Sequence, residues 1–210
     1  MPALIFLGLP FPQALATHKV ASVALGIGAS IHYLLKLKFN FIICIQILVL
    51  GVPGVILGAK TALLMPEKLG LTILGFLTLF VGFYSRNNKH LGLSNQSFVL
   101  NKFKLVVGSL VLFLIGFLNG SFSSGTGLLV TITLVLIYGL NYSQAIGYTL
   151  IFVGLFWNGV GALVLGLDGE IQWTWLTPLV IGALLGGYCG ANISLIKGSK
   201  LVKVVFEYMS

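Results

Sequence analysis

Charge is what this sequence has least of. Four acidic residues stand against twelve lysines and arginines in 210 residues, and only 8% of the chain is charged while 58% is hydrophobic. Soluble domains carry roughly a quarter charged residues, so a water-soluble globule is excluded and a polytopic membrane protein is expected. The four acids, Glu67, Asp168, Glu170 and Glu207, fall in loops or near the end of the chain. With no apposed acid pair and no serine or cysteine beside a base, no catalytic constellation is visible, and no cofactor is expected. Cysteine is equally scarce: Cys44 and Cys189 each lie in an apolar run without metal-type spacing and read as packing residues. No basic stretch precedes the first apolar run, so no cleavable signal peptide is expected; MPALIFLGL opens as if partway through a helix. The net charge of +8 does not indicate nucleic acid, because most of the basic residues lie between apolar runs, where they hold loops on the cytoplasmic side.

What is present is apolar length. Runs at 13–35, 39–65, 69–85, 105–138, 144–167 and 171–196, with shorter pieces at 1–9 and 201–207, predict about seven to eight membrane segments. The expected organisation is a first repeat over 1–85, a polar connector over 86–104 containing RNNKHLGLSNQS, and a second repeat over 105–210. One run does not fit a single crossing. As one helix, 105–138 would be about 51 Å long at ~1.5 Å per residue, well beyond the ~30 Å hydrocarbon core. It either tilts and protrudes, or breaks in the middle and turns back.

The two halves share a pattern. GLPFPQALATHK at 8–19 overlays GLNYSQAIGYTL at 139–150, matching Gly8, Leu9, Gln13 and Ala14 with Gly139, Leu140, Gln144 and Ala145. Further on, Gly28 falls on Gly159, and Gly54, Gly58 and Ala59 fall on Gly186, Gly190 and Ala191. Sustained offsets of this kind are a feature of secondary transporters. Lys36 and Lys38 occupy a connector whose counterpart carries Asp168 and Glu170, while Glu67 and Lys68 correspond to a stretch with Lys197, Lys200 and Lys203. Lysine-rich loops stay inside, so equivalent loops lie on opposite faces, the repeat is inverted, and 105–138 starts and ends on one face. The alternative is a continuous crossing with parallel repeats.

At the middle of 105–138 stands GFLNGSFSSGTGLL, Gly116 to Leu129. Non-helical backbone inside a bilayer survives only against protein or a water-filled cavity. A break here leaves amides free at the start of the next half-helix, beside the positive end of its dipole, and that combination binds anions. Asn119, Ser121, Ser123, Ser124, Gly125, Thr126 and Gly127 are the candidate binding residues. The competing reading is close helix packing by small residues. Thr17 and Lys19, in ALATHKVAS, are candidates for lining the path, since a lysine among apolar residues is costly unless paired, hydrated or snorkelling. Asn158 is a further intramembrane polar group, either interhelical glue or pathway lining. Gly51, Gly54 and Gly58, and likewise Gly182, Gly186 and Gly190, read as packing seams.

The stretch LPFPQALATHKVASVALGIGASIHYLLKLKFNF resembles the first repeat of the TauE/SafE sulfite-exporter family, and GFLNGSFSSGTGLL, GLNYSQAIGYT, NGVGALV and GALLGGYCGANIS are similar to its second. The resemblance runs through nearly the whole chain. It implies a multi-pass permease of the cytoplasmic membrane that moves a small anion, typically sulfite or an organosulfonate. The family's asparagine before the lysine is His18 here, and the second lysine position is Leu150. The first repeat lacks a counterpart of Phe113 to Thr131, and the last helix stops after KLVKVVFEYMS, so both repeats are expected to be incomplete. Two rivals stay open: a non-transporting membrane scaffold or fragment, and a polar pore for a neutral solute. Association with further copies of the chain is also left open.

Overall fold

The computed structural model describes residues 1–87, 101–168 and 171–209, with side chains set aside at 81, 82, 84–87 and 197–209. Among the described residues there is no strand. In chain order the helices are α1 (Pro2–Phe6), α2 (Phe11–Lys36), α3 (Phe41–Leu64), α4 (Glu67–Asn87), α5 (Lys102–Phe122), α6 (Thr126–Leu136) and α7 (Tyr142–Tyr148). The last continues through a π-helical stretch, Thr149–Trp157, into α8 (Asn158–Gly166), and a short 3-10 turn, Trp173–Trp175, leads into α9 (Leu176–Met209). Five helical units are long and apolar enough to cross a membrane: Phe11–Lys36, Phe41–Leu64, Lys102–Phe122, Tyr142–Gly166 and Trp173–Ile196. Thr126–Leu136 is a sixth, shorter apolar helix. The expected span at 69–85 is helical within α4, whose later side chains are only partly described, and most of the expected connector, 88–100, lies outside the described residues.

Local chemistry sets most helix starts. Prolines at Pro10 and Pro12 open α2, where a missing amide proton costs nothing. Asn40 and Asn101 cap α3 and α5 by accepting from Ile42 N at 2.9 Å and Phe103 N at 3.3 Å. Asn141 and Gln144 form a capping box at α7. Gly8 and Gly139, which the sequence overlay matches, both adopt positive φ, at 95° and 68°, and the helices that follow start at Phe11 and Tyr142.

Helix packing rests on glycine. Along α3, Gly54 faces the Phe113 carbonyl and Gly58 the Phe117 carbonyl of α5; in return Gly116 and Gly120 of α5 face the carbonyls of Gly51 and Val55. Backbones approach this closely only where neither helix carries a Cβ. Gly51 also abuts the indole of Trp157, which is fully buried and donates from Nε1 to Ile47 O at 2.9 Å. The seam expected along Gly182, Gly186 and Gly190 is displaced. No heavy atom lies within 4 Å of a Cβ built at any of the three, and it is Gly187 that meets α2, at the Leu25 carbonyl, while Gly28 meets Leu184. Because α9 is apolar on all sides, periodicity could not choose the face that packs inward.

The long run breaks and returns. Ser123 stands at φ 60° and Gly125 at φ 76°, and α6 then folds back along α5. Tyr138, just past α6, meets Gly108 near the start of α5 and donates to Gln46 Oε1 at 2.9 Å; Gln46 in turn donates to Leu105 O and Ser109 Oγ. Val111, Leu114 and Ile115 lie opposite Leu129, Ile132 and Thr133. The break is narrower than the sequence suggested. Asn119 to Phe122 remain helical and the spiral resumes at Thr126, so only Ser123 to Gly125 leave it.

Candidate functional site

A buried lysine organises the break. Lys19, on α2, is 0% exposed and spends its three protons on three oxygens. Nζ donates to Asn119 O at 2.8 Å, to Asn119 Oδ1 at 3.1 Å and to Asn158 Oδ1 at 3.3 Å. Asn119 O also accepts from Ser123 N at 3.0 Å, so the ammonium sits at the carbonyl end of α5, where the helix dipole favours a cation. With Oδ1 held by Lys19, the Asn119 amide nitrogen points across the turn and donates to Thr126 Oγ1 at 2.9 Å. Thr126 Oγ1 donates onward to Ser123 O at 2.7 Å. This relay from α2 through α5 to α6 fixes the turn.

The turn leaves donors without acceptors. Leu128 and Leu129 N both reach Gly125 O, but no oxygen among the described residues accepts from the amides of Gly125, Thr126 or Gly127. Beside them lies a cavity of about 140 Å³ bounded by Asn119, Ser123, Thr126, Gly127, Thr149 and Asn158, with His18 and Ser22 of α2 completing its polar wall. That space exceeds what one water needs several-fold. Ser123, only 8% exposed, offers a hydroxyl that no protein group holds. Glycine at 127 keeps this wall open: a Cβ there would meet nothing closer than Thr149 Cγ2 at 3.5 Å.

Five of the ten residues singled out by sequence therefore meet at one cavity: Asn119, Ser123, Thr126, Gly127 and Asn158. Lys19 stands one layer behind, bonded to two of them. The rest lie elsewhere. Thr17 is buried and accepts from Gln172 N at 3.0 Å, tying down the connector before α9. Ser121 turns toward α3 and donates to Gly58 O at 3.1 Å and to Phe117 O at 3.0 Å. Ser124 and Gly125 form the turn and are half-buried, away from the cavity lining.

Sequence reasoning missed His18, Ser22, Thr149 and Gly161. The first and third were within reach of the sequence overlay, since His18 falls on Thr149 at the offset of 131 and both line the cavity. Thr149 opens the π-helical stretch and shares a hydrogen bond of 2.9 Å with Thr131 of α6; π-type insertions are frequent at functional sites. Gly161 makes room for Lys19: a Cβ there would lie 2.7 Å from Cδ, 2.8 Å from Cε and 3.0 Å from Nζ. Gly161→Ala is expected to push the ammonium off Asn158 and cost about 1–3 kcal/mol as overpacking, read as a lowered unfolding temperature. A variant as stable as the parent would show that the lysine has room to move.

Comparison with other proteins shows the family of the chain. The family model described as "Sulfite exporter TauE/SafE" matches residues 1–210. A probable membrane transporter protein of Haemophilus influenzae is 28% identical over all of this chain, which covers 81% of that protein. A probable membrane transporter protein of a Sinorhizobium species is 27% identical, with 79% of its length covered. The Escherichia coli K12 probable membrane transporter protein YfcA is 24% identical, with 77% covered. No solved structure matches. Five membrane-crossing helices, a broken helix that returns on itself, and a family match along the whole sequence lead to one conclusion: the chain is a multi-pass cell-membrane protein and belongs to the TauE/SafE sulfite exporter family of membrane transporters.

Proposed function

We propose that this permease moves a small anion, sulfite or an organosulfonate, and seats it in the cavity at the Ser123–Gly125 turn. The observation that carries this reading is the pair of unbonded amides on the cavity wall, Thr126 and Gly127, at the start of α6, with the free Ser123 hydroxyl beside them. Amides at a helix start, the positive dipole end and a nearby hydroxyl are the elements that bind oxyanions. Lys19 adds a fixed positive charge, and among the described residues it has no acidic partner. The cavity also lies between corresponding faces of the two halves, with His18 and Ser22 of α2 across from Thr149 and Val153, the residues 131 positions on. The return of α6 toward the start of α5 supports an inverted repeat, and alternating exposure of a site at the repeat interface is the mechanism that fits.

Efflux from vesicles containing the purified protein tests the reading. Sulfite and methanesulfonate are expected to leave faster than from empty vesicles. Ser123→Ala, which removes a hydrogen bond to a charged solute, is expected to raise KM about 10-fold with little change in protein stability. Flux of neutral solutes alone would favour a pore. No flux from correctly inserted protein would favour a scaffold.

A further inference from the structure

Resting on the anion seat just proposed, we infer that the cavity selects its solute by charge number: it takes monoanions and rejects both dianions and neutral molecules of the same shape. The basis is a count of fixed charges. Lys19 is buried, and its three protons are committed to Asn119 and Asn158, so it acts on a solute through its field and not by touching it. Nothing among the described residues cancels that charge. Among the described residues no acid pairs with Lys19, and the described acids Glu67 and Asp168 are exposed and absent from the cavity wall. The two helix ends at the turn oppose one another, with the carbonyl end of α5 against Lys19 and the amide end of α6 toward the cavity, so their partial charges largely cancel.

The other titratable groups nearby do not alter the count at pH 7.5. His18, on the cavity wall, bonds weakly to Ser22 Oγ at 3.4 Å, and an imidazole at this pH is mostly uncharged. The amino group of Met1, which precedes the first span, lies 3.4 Å from His18 Nδ1, and burial lowers it to about 6, so it too is mostly uncharged. Three oxygens accept from Lys19 Nζ, which takes all three protons of an ammonium, so the empty seat carries one net positive charge. A monoanion brings the buried total to zero, a neutral solute leaves the cation uncompensated, and a dianion leaves one negative charge in excess. Buried net charge of either sign is strongly unfavourable.

Dimethyl sulfone, methanesulfonate and sulfate form a test series: three tetrahedral sulfur compounds of similar size with charges of 0, −1 and −2. Their binding to the purified protein in lipid nanodiscs, at pH 7.5 and constant ionic strength, reads the rule directly. Methanesulfonate is expected to bind at least about 30-fold more tightly than either of the others. His18→Lys, which adds a second cation to the wall, is expected to move the preference to sulfate. Lys19→Met is expected to abolish the preference for methanesulfonate over the sulfone. If sulfate matches methanesulfonate on the parent, the anion seat stands and the charge rule falls. An unchanged order in folded His18→Lys also overturns the rule. If none of the three binds the folded parent, the seat itself is wrong and the rule goes with it.

Discussion

Lys19→Ala is expected to lower anion efflux about 100-fold or more and to reduce stability at the same time. Two effects combine. The side chain holds Asn119 in the rotamer that reaches Thr126 and thereby fixes the turn. Its loss leaves Asn119 Oδ1 and Asn158 Oδ1 buried without their donor, at about 1–3 kcal/mol for each orphaned group. The seat also loses its one fixed charge, and a buried anion facing no cation is penalised by several further kcal/mol, each ~1.4 kcal/mol being tenfold in rate or affinity. Lys19→Met separates the two effects from simple loss of bulk, because it fills the same channel beside Gly161 without a donor or a charge. Sulfite efflux and unfolding temperature, measured on the same purified protein, check the expectation. Undiminished efflux from a folded Lys19→Ala variant would remove this cation from the chemistry of the site.

Gly120→Val is expected to be among the most damaging substitutions at the packing glycines. A Cβ at Gly120 would collide with the Val55 carbonyl and lie 2.7 Å from Ala59 N and 3.0 Å from Gly58 C. All three neighbours are backbone atoms of α3, which cannot rotate aside as a side chain could. The helices must separate, and the reciprocal contacts of Gly54, Gly58 and Gly116 open with them. Overpacking costs about 1–3 kcal/mol at an ordinary core position, and the rigid, shared nature of this seam puts the expected loss at or above the top of that range. Gly182→Val is the matched control, because nothing lies within 4 Å of a Cβ there. The unfolding temperature should fall steeply for the first and hardly move for the second. Equal behaviour of the two would mean that α3 and α5 are not in backbone contact.

Much of this architecture was legible because membrane-grade apolar runs and polar interruptions contrast so strongly. The density of glycine and hydroxyl groups around Ser123 announced a break, and Gly51, Gly54 and Gly58 announced a seam that the structure places against α5. The extent of the break was not legible. Asn119 looked like part of the irregular turn, yet it is helical, and its function in the turn depends on Lys19, one hundred residues earlier in the chain. Lysine carries no signal in sequence for which distant oxygens will surround it. The seam on α9 failed for a different reason: Gly186 and Gly187 are neighbours in sequence, and only the inward-facing one packs. His18 and Thr149 were hidden because the repeat overlay was read for matching residues, and these two differ while lining the same cavity.

The eleven residues of α6 have an electrical consequence. At ~1.5 Å per residue such a helix is about 16 Å long, roughly half of the ~30 Å insulating layer. α5 reaches the same turn after 21 residues, about 31 Å, so the Ser123–Gly125 turn does not divide the layer evenly and lies nearer the face opposite the start of α5. A monovalent solute arriving from the α5-start side crosses more than half of a drop worth about 2.3 kcal/mol at 100 mV, and one arriving from the opposite side less than half. Voltage then weighs unequally on entry and exit, and the sign of the membrane potential biases direction.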